Sequence, residues 1–187
     1  MRTKRFLDQG AAFQTKALSI IKLGTVIILL SFCFGQAKAN VSPVTPACVL
    51  RAAKLQGIPP HIILGLLKTE GGHIGSETLN KNGSVDLGPM QVNDRVWVPI
   101  LAYWHFHGDR LMAYEMLRDN GCYSVHIGAW IFRQYLDEAH GNYAEAVGFY
   151  NSHNEAAKRA YQLRFAQNFK SLFSDLMANS TSVGQRQ

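Results

Sequence analysis

Two acidic residues stand close together in surroundings that would hold their carboxyl groups in different protonation states. Glu70 follows an apolar run and precedes two glycines, and Asp86 stands sixteen residues later, behind an Asn-Gly pair. A carboxyl group among Leu and Ile side chains resists ionisation, because burial disfavours its charged form, whereas a carboxylate on a solvated turn stays charged. One proton donor and one negative charge are what cleavage of a glycosidic bond requires, since its transition state resembles an oxocarbenium ion.

The segment before Glu70 has the apolar spacing of an amphipathic helix. Helical steps of three, four and seven residues from Leu67, Leu66 and Ile63 all reach Glu70, which places it on the buried face. Gly71-Gly72 then ends the helix. We therefore predict that Glu70 lies on the last turn of a helix, with its side chain turned towards the protein interior.

Asp86 belongs to a segment with the signals of a β-hairpin. Asn82-Gly83 between short alternating runs is the strongest local sign of such a turn. Beyond it, Asp86 shares one face of the strand with Ser84 and Gly88, while Leu87 faces the other way. Taken alone, Glu70 is compatible with a fraying helix end and Asp86 with a turn aspartate that caps its own backbone.

The rest of the chain is predicted to be mainly helical, with polar segments at both ends of the domain. Residues 40–46 are predicted as a linker, residues 47–176 as one domain and residues 177–187 as a flexible tail. These elements predict an α+β fold that is predominantly helical, with one small β-hairpin beside a cleft. The predicted helices outside the Glu70 segment are Pro46–Gln56, Asp94–His105, Arg110–Arg118, Ser124–Ala139, Tyr143–Tyr150 and Glu155–Leu176.

Residues 1–39 have the pattern of a secretory signal peptide. Basic residues precede a thirteen-residue apolar run, Leu23 to Gly35, and Ala37-Lys38-Ala39 supplies a small-residue cleavage site. The alternative is an uncleaved anchor that also uses Ala17 to Ile21, although Lys22 interrupts it. Of the 19 basic and 13 acidic residues of the chain, this segment holds six and one, so the mature net charge is only +1. A nearly neutral domain lacks the charge that nucleic acid binding requires.

The predicted export also affects which cysteines remain in the mature protein and whether they form a disulfide. Cys33 lies inside the apolar run and is discarded with it, which leaves Cys48 and Cys122. In an oxidising compartment such an isolated pair most simply forms one disulfide, whereas two buried free thiols would suit the cytosol.

A metal site is the first competing interpretation. Glu70 and His73 have the E-x-x-H spacing of carboxylate-bridged metal sites, but those sites need two such motifs on intact helices, and Gly71-Gly72 interrupts this one. His105 and His107 occupy alternate positions, which do not share a helix face. We therefore predict no metal and no cofactor.

Four segments occur in an order that resembles a known family. They are CVLRAAKLQGIPPHIILGLLKTEGG, NKNGSVDLGPMQVND, GCYSVHIGAWIFRQYL and NYAEAVGFYNS. Together they resemble the lytic transglycosylase domain of the lysozyme superfamily over about residues 47–165. The likeness is greatest to the specialised enzymes that accompany type III and type IV secretion, conjugation and pilus systems.

The resemblance implies a role for each matching residue. Glu70 matches the general acid/base, and Asp86 matches a hairpin aspartate present in lysozymes and in the secretion-associated subgroup. Cys48 and Cys122 match a cysteine pair of that subgroup. This chain has Gly71 where the family commonly has Ser. The residues that match the sugar-binding positions are Gly88, Met90, Gln91, Asn93, Tyr150 and Asn151.

The function implied by the resemblance is cleavage of the β-1,4 bond between N-acetylmuramic acid and N-acetylglucosamine in periplasmic peptidoglycan. The product would carry a 1,6-anhydro ring, and the cut would open the wall locally for a secretion, conjugation or pilus apparatus. The membrane would be contacted only through the signal segment. Lysozyme-type hydrolysis is one alternative. A non-catalytic glycan-binding or assembly module is another, in which Trp97, Trp104 and Trp130 would stack on sugars instead of packing in the core.

Overall fold

Helices surround a small antiparallel sheet in the computed structural model, which describes residues 41–184 and the side chains of residues 41–174. The predicted predominantly helical α+β fold is confirmed. The signal segment lies outside the described residues. The elements are α1 (Pro46–Gln56), α2 (Pro60–Glu70), β1 (Glu77–Leu79), β2 (Val85–Leu87), β3 (Val92–Asn93), α3 (Asp94–His105), α4 (Arg110–Asp119), α5 (Gly121–Glu138), α6 (Tyr143–Asn151) and α7 (Glu155–Gly184).

The first two helices begin and end at the residues that the sequence indicates. The Thr45 hydroxyl accepts a hydrogen bond from the Cys48 amide and caps α1, and Gly57 ends that helix in the left-handed region at φ 62°. Helix α2 begins at Pro60 and ends where Gly71 adopts φ 66°. Because the helix stops there, the Glu70 side chain stands at the open end of α2.

The sheet has one more strand than the predicted hairpin. Strands β1 and β2 pair in antiparallel register with Leu79 opposite Val85, and β3 pairs antiparallel with β2. The Gly83 amide donates to the Asn80 carbonyl at 2.8 Å, and Gly83 has φ 78°, so the Asn-Gly pair closes a loop wider than a two-residue turn. The two residues of β3 are too few to produce an alternating pattern.

Helix α5 lies in the middle of the core. Its inward side chains, among them Ile127 and Phe132, are almost fully buried against α1 and α6. Leu87 of β2 has no exposed surface and anchors the sheet to the helices. Burial of this apolar surface is the main stabilising contribution to the fold.

Two helix boundaries differ from the prediction by three residues or more, and three others differ by a single residue. Helix α5 begins at Gly121 instead of Ser124, because the Asn120 side chain caps it by accepting from the Tyr123 amide at 2.9 Å. Helix α7 continues to Gly184, so most of the segment that we predicted as a tail, 177–187, is helical. No Gly or Pro interrupts residues 177–183, and nothing in that sequence stops the helix.

The disulfide joins Cys48 of α1 to Cys122 of α5, with 5.3 Å between the Cα atoms. It thus ties the first helix of the domain to the central one. Within residues 41–184, no helix combines the length and the apolar character that crossing a bilayer requires.

Candidate active site

Glu70 is half-buried at the end of α2, and its carboxyl group is shifted towards the protonated form. The Tyr161 hydroxyl donates a hydrogen bond to its Oε1. Burial raises the pKa of Glu70 to about 7, and the negative charge of Asp86 adds to this rise. The hydrogen bond from Tyr161 and the positive charge of Arg164 oppose it. The bond from Tyr161 engages Oε1, and Glu70 lines the cavity described below. At neutral pH, Glu70 can both give and take a proton.

Tyr161 belongs to a stripe of aromatic side chains along α7 that faces α2. Tyr161 and Phe165 are buried, and a Cβ added to Gly65 of α2 would approach the Phe165 ring to 2.8 Å. The absence of a side chain at Gly65 therefore lets the two helices approach closely. Sequence reasoning missed Tyr161. The available signal was its place four residues before Phe165 and eight before Phe169, on one face of a predicted helix.

Asp86 projects from β2 and is held by the neighbouring strand. The Asn93 Nδ2 amide donates to Asp86 Oδ1 at 2.8 Å and to Ser84 Oγ at 2.8 Å. Asp86 is half-buried, whereas Ser84, on the same face of the strand, is almost fully buried. Asn93 fixes the aspartate in a defined orientation, and Asp86 lines the cavity described next.

A cavity of about 740 Å³ brings the predicted carboxylates together. The loop of the hairpin forms one side, and apolar or aromatic side chains of α3, α5 and α6 form the other. A cavity of this size and mixed lining suits a small ligand or a segment of a polymer. The sequence-predicted residues that line it are Glu70, Asp86, Gln91, Asn93, Tyr150 and Asn151.

The predicted sugar-binding residues Gly88 and Met90 lie behind this wall. Met90 has no exposed surface, and its terminal methyl group lies 2.5 Å from where a Cβ on Gly128 would be. Gly88 is buried at φ 63°, and a Cβ there would approach the Leu117 carbonyl to 2.2 Å. Their positions indicate packing and support of the loop, because neither residue lines the cavity.

The backbone of this loop holds two groups that do reach the cavity. The Tyr150 hydroxyl donates to the Met90 carbonyl at 3.1 Å, and burial raises the pKa of Tyr150 well above its usual value. Gln91 Nε2 donates to the Gly88 carbonyl at 2.8 Å and to Ser76 Oγ at 3.1 Å. Tyr150 and Gln91 are therefore fixed in place before a ligand arrives.

A second opening, of about 480 Å³, shares Glu70 and Gln91 with the first. Gly71 and Gly72 contribute to its wall. A Cβ on Gly72 would approach the Gly88 carbonyl to 2.2 Å, so this position has room only for glycine. Because Glu70 borders both openings, its carboxyl group is accessible to an extended polymer that occupies them.

The histidines are not arranged as a metal centre within the described range. In residues 41–174, no three side chains of His, Cys, Asp or Glu lie close enough together to hold an ion. His105 Nδ1 pairs with the Tyr123 hydroxyl at 2.8 Å.

Comparison with known proteins places this chain in a family. No protein family model matches the chain. Protein IpgF of Shigella flexneri is 30% identical over 166 residues, which cover 86% of this chain and 97% of that protein. Invasion protein IagB of Salmonella typhimurium is 30% identical over 128 residues, which cover 64% of this chain and 71% of that protein. The chain therefore belongs to the protein family that includes IpgF and IagB.

Proposed function

We propose that this protein is a periplasmic lytic transglycosylase that cleaves the β-1,4 bond between N-acetylmuramic acid and N-acetylglucosamine in peptidoglycan. The observation that carries the proposal is the state of Glu70, a carboxyl group with a pKa near 7 in the wall of a cavity that it shares with Asp86. Such a pairing suits glycosidic bond cleavage, in which one group must be protonated while another bears negative charge. The four-segment resemblance to transglycosylases supports it.

The first step uses Glu70 as a general acid. The proton on Oε2 passes to the glycosidic oxygen, and the bond from that oxygen to the anomeric carbon breaks. Its electrons remain on the oxygen, which becomes the C4 hydroxyl of the leaving N-acetylglucosamine. The 2-acetamido oxygen of the muramic acid approaches the anomeric carbon, and the charge of Asp86 stabilises the positive charge that develops there.

The second step uses the same carboxyl group as a general base. Ionised Glu70 takes the proton from the C6 hydroxyl of the muramic acid, whose oxygen bonds to the anomeric carbon and closes the 1,6-anhydro ring. No water is consumed, and Glu70 returns to its protonated form. A pKa near 7 suits both halves of this cycle, because neither protonation state is strongly disfavoured at neutral pH.

Lysozyme-type hydrolysis is the second candidate, and the position of Asp86 favours it. Asn93 orients Asp86 towards the cavity that Glu70 also lines, where it could act as nucleophile or stabilise charge. Water would then attack the anomeric carbon in place of the C6 hydroxyl. The two reactions share the first proton transfer and differ in what completes the turnover.

The cellular role that we propose is local opening of the cell wall for a secretion, conjugation or pilus apparatus. The support is twofold: the resemblance to enzymes that accompany such machines, and a relative whose name describes it as an invasion protein. The signal peptide predicted for residues 1–39 is consistent with action in the periplasm.

Mass spectrometry of digested peptidoglycan tests the reaction. We expect muropeptides with 1,6-anhydro ends from the wild-type protein and none from Glu70→Gln. Hydrolysed ends are heavier by one water, so a predominance of them would make the protein a lysozyme-like hydrolase. If the wild-type protein releases neither product, it is a non-catalytic glycan-binding or assembly module.

A further inference from the structure

Another cavity, of about 460 Å³, adjoins the catalytic one along helices α3 and α5. It is distinct from the opening of about 480 Å³ beside Gly72 and is called the second cavity below. On α3, Val96 lines the catalytic cavity, while Ile100 and Trp104 form part of the wall of the second. The three residues lie on one face of the helix, because they are four residues apart. On α5, Ile131 lines the first cavity and Ile127 lines the second. The same two helices therefore form the walls of both cavities.

Two tryptophans mark the place where the cavities meet. Trp97 lines the first and Trp130 the second, and their rings are in edge-to-face contact with 5.4 Å between the centroids. We refer to the groove from Val96 to Trp104 as the α3–α5 trough. Eight residues of α-helix advance about 12 Å, which is longer than a single pyranose ring.

The far end of the trough exposes an aromatic pair to solvent. Trp104 and Tyr103 are 73% and 72% exposed, and their ring centroids lie 5.2 Å apart. Two adjacent exposed aromatic rings at the end of a groove suit contact with a ligand, because their apolar faces are open to it. Pyranose rings present an apolar face of C–H groups that an indole can cover.

The trough also holds groups that can bond to sugar hydroxyls. His126 and His105 line it. Burial, with the neighbouring charges of His105 and Arg51, lowers the pKa of His126, so its imidazole is neutral at pH 7. A neutral imidazole offers one donor and one acceptor, which matches the two capacities of a hydroxyl group.

We propose that the glycan strand cleaved at Glu70 continues along the α3–α5 trough, and that Trp104 stacks on a sugar ring beyond the cleavage site. The inference rests on the proposed function, because it takes the strand in the catalytic cavity to be glycan. The occupant is the same strand, since the trough continues the cavity along the same two helices. The trough thereby makes the enzyme prefer long strands to short ones.

Binding to Glu70→Gln, which leaves the strand uncut, measures this preference. Calorimetry would compare peptide-free glycan strands that are long enough to reach Trp104 with strands that fill only the catalytic cavity. We expect Trp104→Ala in this background to bind long strands about tenfold more weakly and short strands with far less change, the effect of one lost stacking contact. Trp104→Phe should keep most of the affinity.

The matched control is Leu163→Ala, which alters a residue that is 67% exposed on α7 and lines neither cavity.

Cleavage by the variants with Glu70 intact separates this inference from the proposed function. Trp104→Ala should lower the rate on long strands and retain cleavage of short ones. Two results would overturn the inference while leaving the catalytic proposal in place. In one, Trp104→Ala weakens the binding of long and short strands equally. In the other, Trp104→Ala binds long strands as tightly as its Glu70→Gln parent does. Failure of the wild-type protein to cleave or bind any glycan would overturn both.

Discussion

Tyr161 donates its hydroxyl hydrogen to Glu70 across 91 residues of chain. The bond joins the end of α2 to the N-terminal part of α7, so the long last helix is part of the candidate active site. Burial raises the pKa of Glu70 to about 7, and the bond from Tyr161 opposes that rise. The tyrosine therefore acts as a positioning residue: it orients Oε1 and limits how strongly the carboxyl group holds its proton.

Tyr161→Phe should raise the pKa of Glu70 further, because a hydroxyl that donates to a carboxylate stabilises the charged form. We expect the alkaline limb of the kcat/KM profile, which reports loss of the acid, to move to higher pH. The rate at neutral pH should fall, since Glu70 becomes a weaker acid and loses its orientation.

The control for this variant is Tyr143→Phe on α6, where the ring packs against Phe132 with 6.2 Å between centroids. It should leave the pH profile in place. An unshifted limb in Tyr161→Phe would show that the hydroxyl has only a packing role.

Glu70→Gln should abolish lysis of purified peptidoglycan while leaving the fold intact. The amide keeps the shape of the side chain but cannot transfer a proton, and loss of general acid–base catalysis costs about 10² to 10⁴ in rate. A turbidity assay measures the loss, and far-ultraviolet circular dichroism checks the fold. Undiminished lysis with an unchanged spectrum would remove Glu70 from the mechanism.

The same substitution should change how stability depends on pH. The folded-state pKa of Glu70 is about 7 against an ordinary value of 4.5, so the folded state holds this proton more tightly than the unfolded chain does. The contribution of this protonated carboxyl group to the free energy of unfolding is thus fully present below pH 4.5 and is lost as the pH rises through 7. The wild-type free energy of unfolding should fall by up to about 3 kcal/mol relative to Glu70→Gln over this range. Urea unfolding at several pH values measures it, and parallel curves for the two proteins would contradict the raised pKa.

The disulfide should be complete in the exported protein. Cys48 and Cys122 are 74 positions apart, and closing a loop of this length stabilises a chain by about 4 kcal/mol in the entropy model. Thiol labelling of the denatured, unreduced mature form should find no free cysteine. Replacing both residues with serine should lower the midpoint of thermal unfolding. Two labelled thiols would contradict the prediction.

Local sequence signals were enough to predict where the two carboxylates lie. The apolar spacing before Glu70 and the glycines after it fix the end of α2, and Asn82-Gly83 marks the hairpin that carries Asp86. These signals operate within about one turn of helix or one hairpin loop. They do not depend on how the elements pack against one another.

The features of the candidate site that the sequence did not predict depend on packing between distant elements. Tyr161 reaches Glu70 only because α7 lies against α2. Met90 matches a sugar-binding position, yet its side chain is fully buried because Gly128 of α5 leaves room for it there. A residue pattern identifies the loop, but only the packing decides which of its members face the cavity.

Asp86→Asn separates the two carboxylate chemistries. In a transglycosylase, Asp86 contributes only an electrostatic stabilisation of the transition state, so its loss should lower the rate about tenfold to hundredfold, or about 1.4–2.8 kcal/mol. That is a smaller loss than we expect for Glu70→Gln. In a hydrolase that uses Asp86 as nucleophile, the two substitutions should be equally damaging, because each removes an essential step.

The pH profile of this variant supplies an independent test of whether Asp86 and Glu70 interact. The negative charge of Asp86 raises the pKa of Glu70, so a neutral asparagine should lower it and move the alkaline limb to lower pH, opposite to the shift in Tyr161→Phe. Asp137→Asn is the matched control, since Asp137 pairs with Arg133 on the exposed face of α5. A limb that stays in place would show that the charge of Asp86 does not reach Glu70. Rates as low as those of Glu70→Gln, with hydrated reducing ends from the wild-type protein, would assign the hydrolytic mechanism instead.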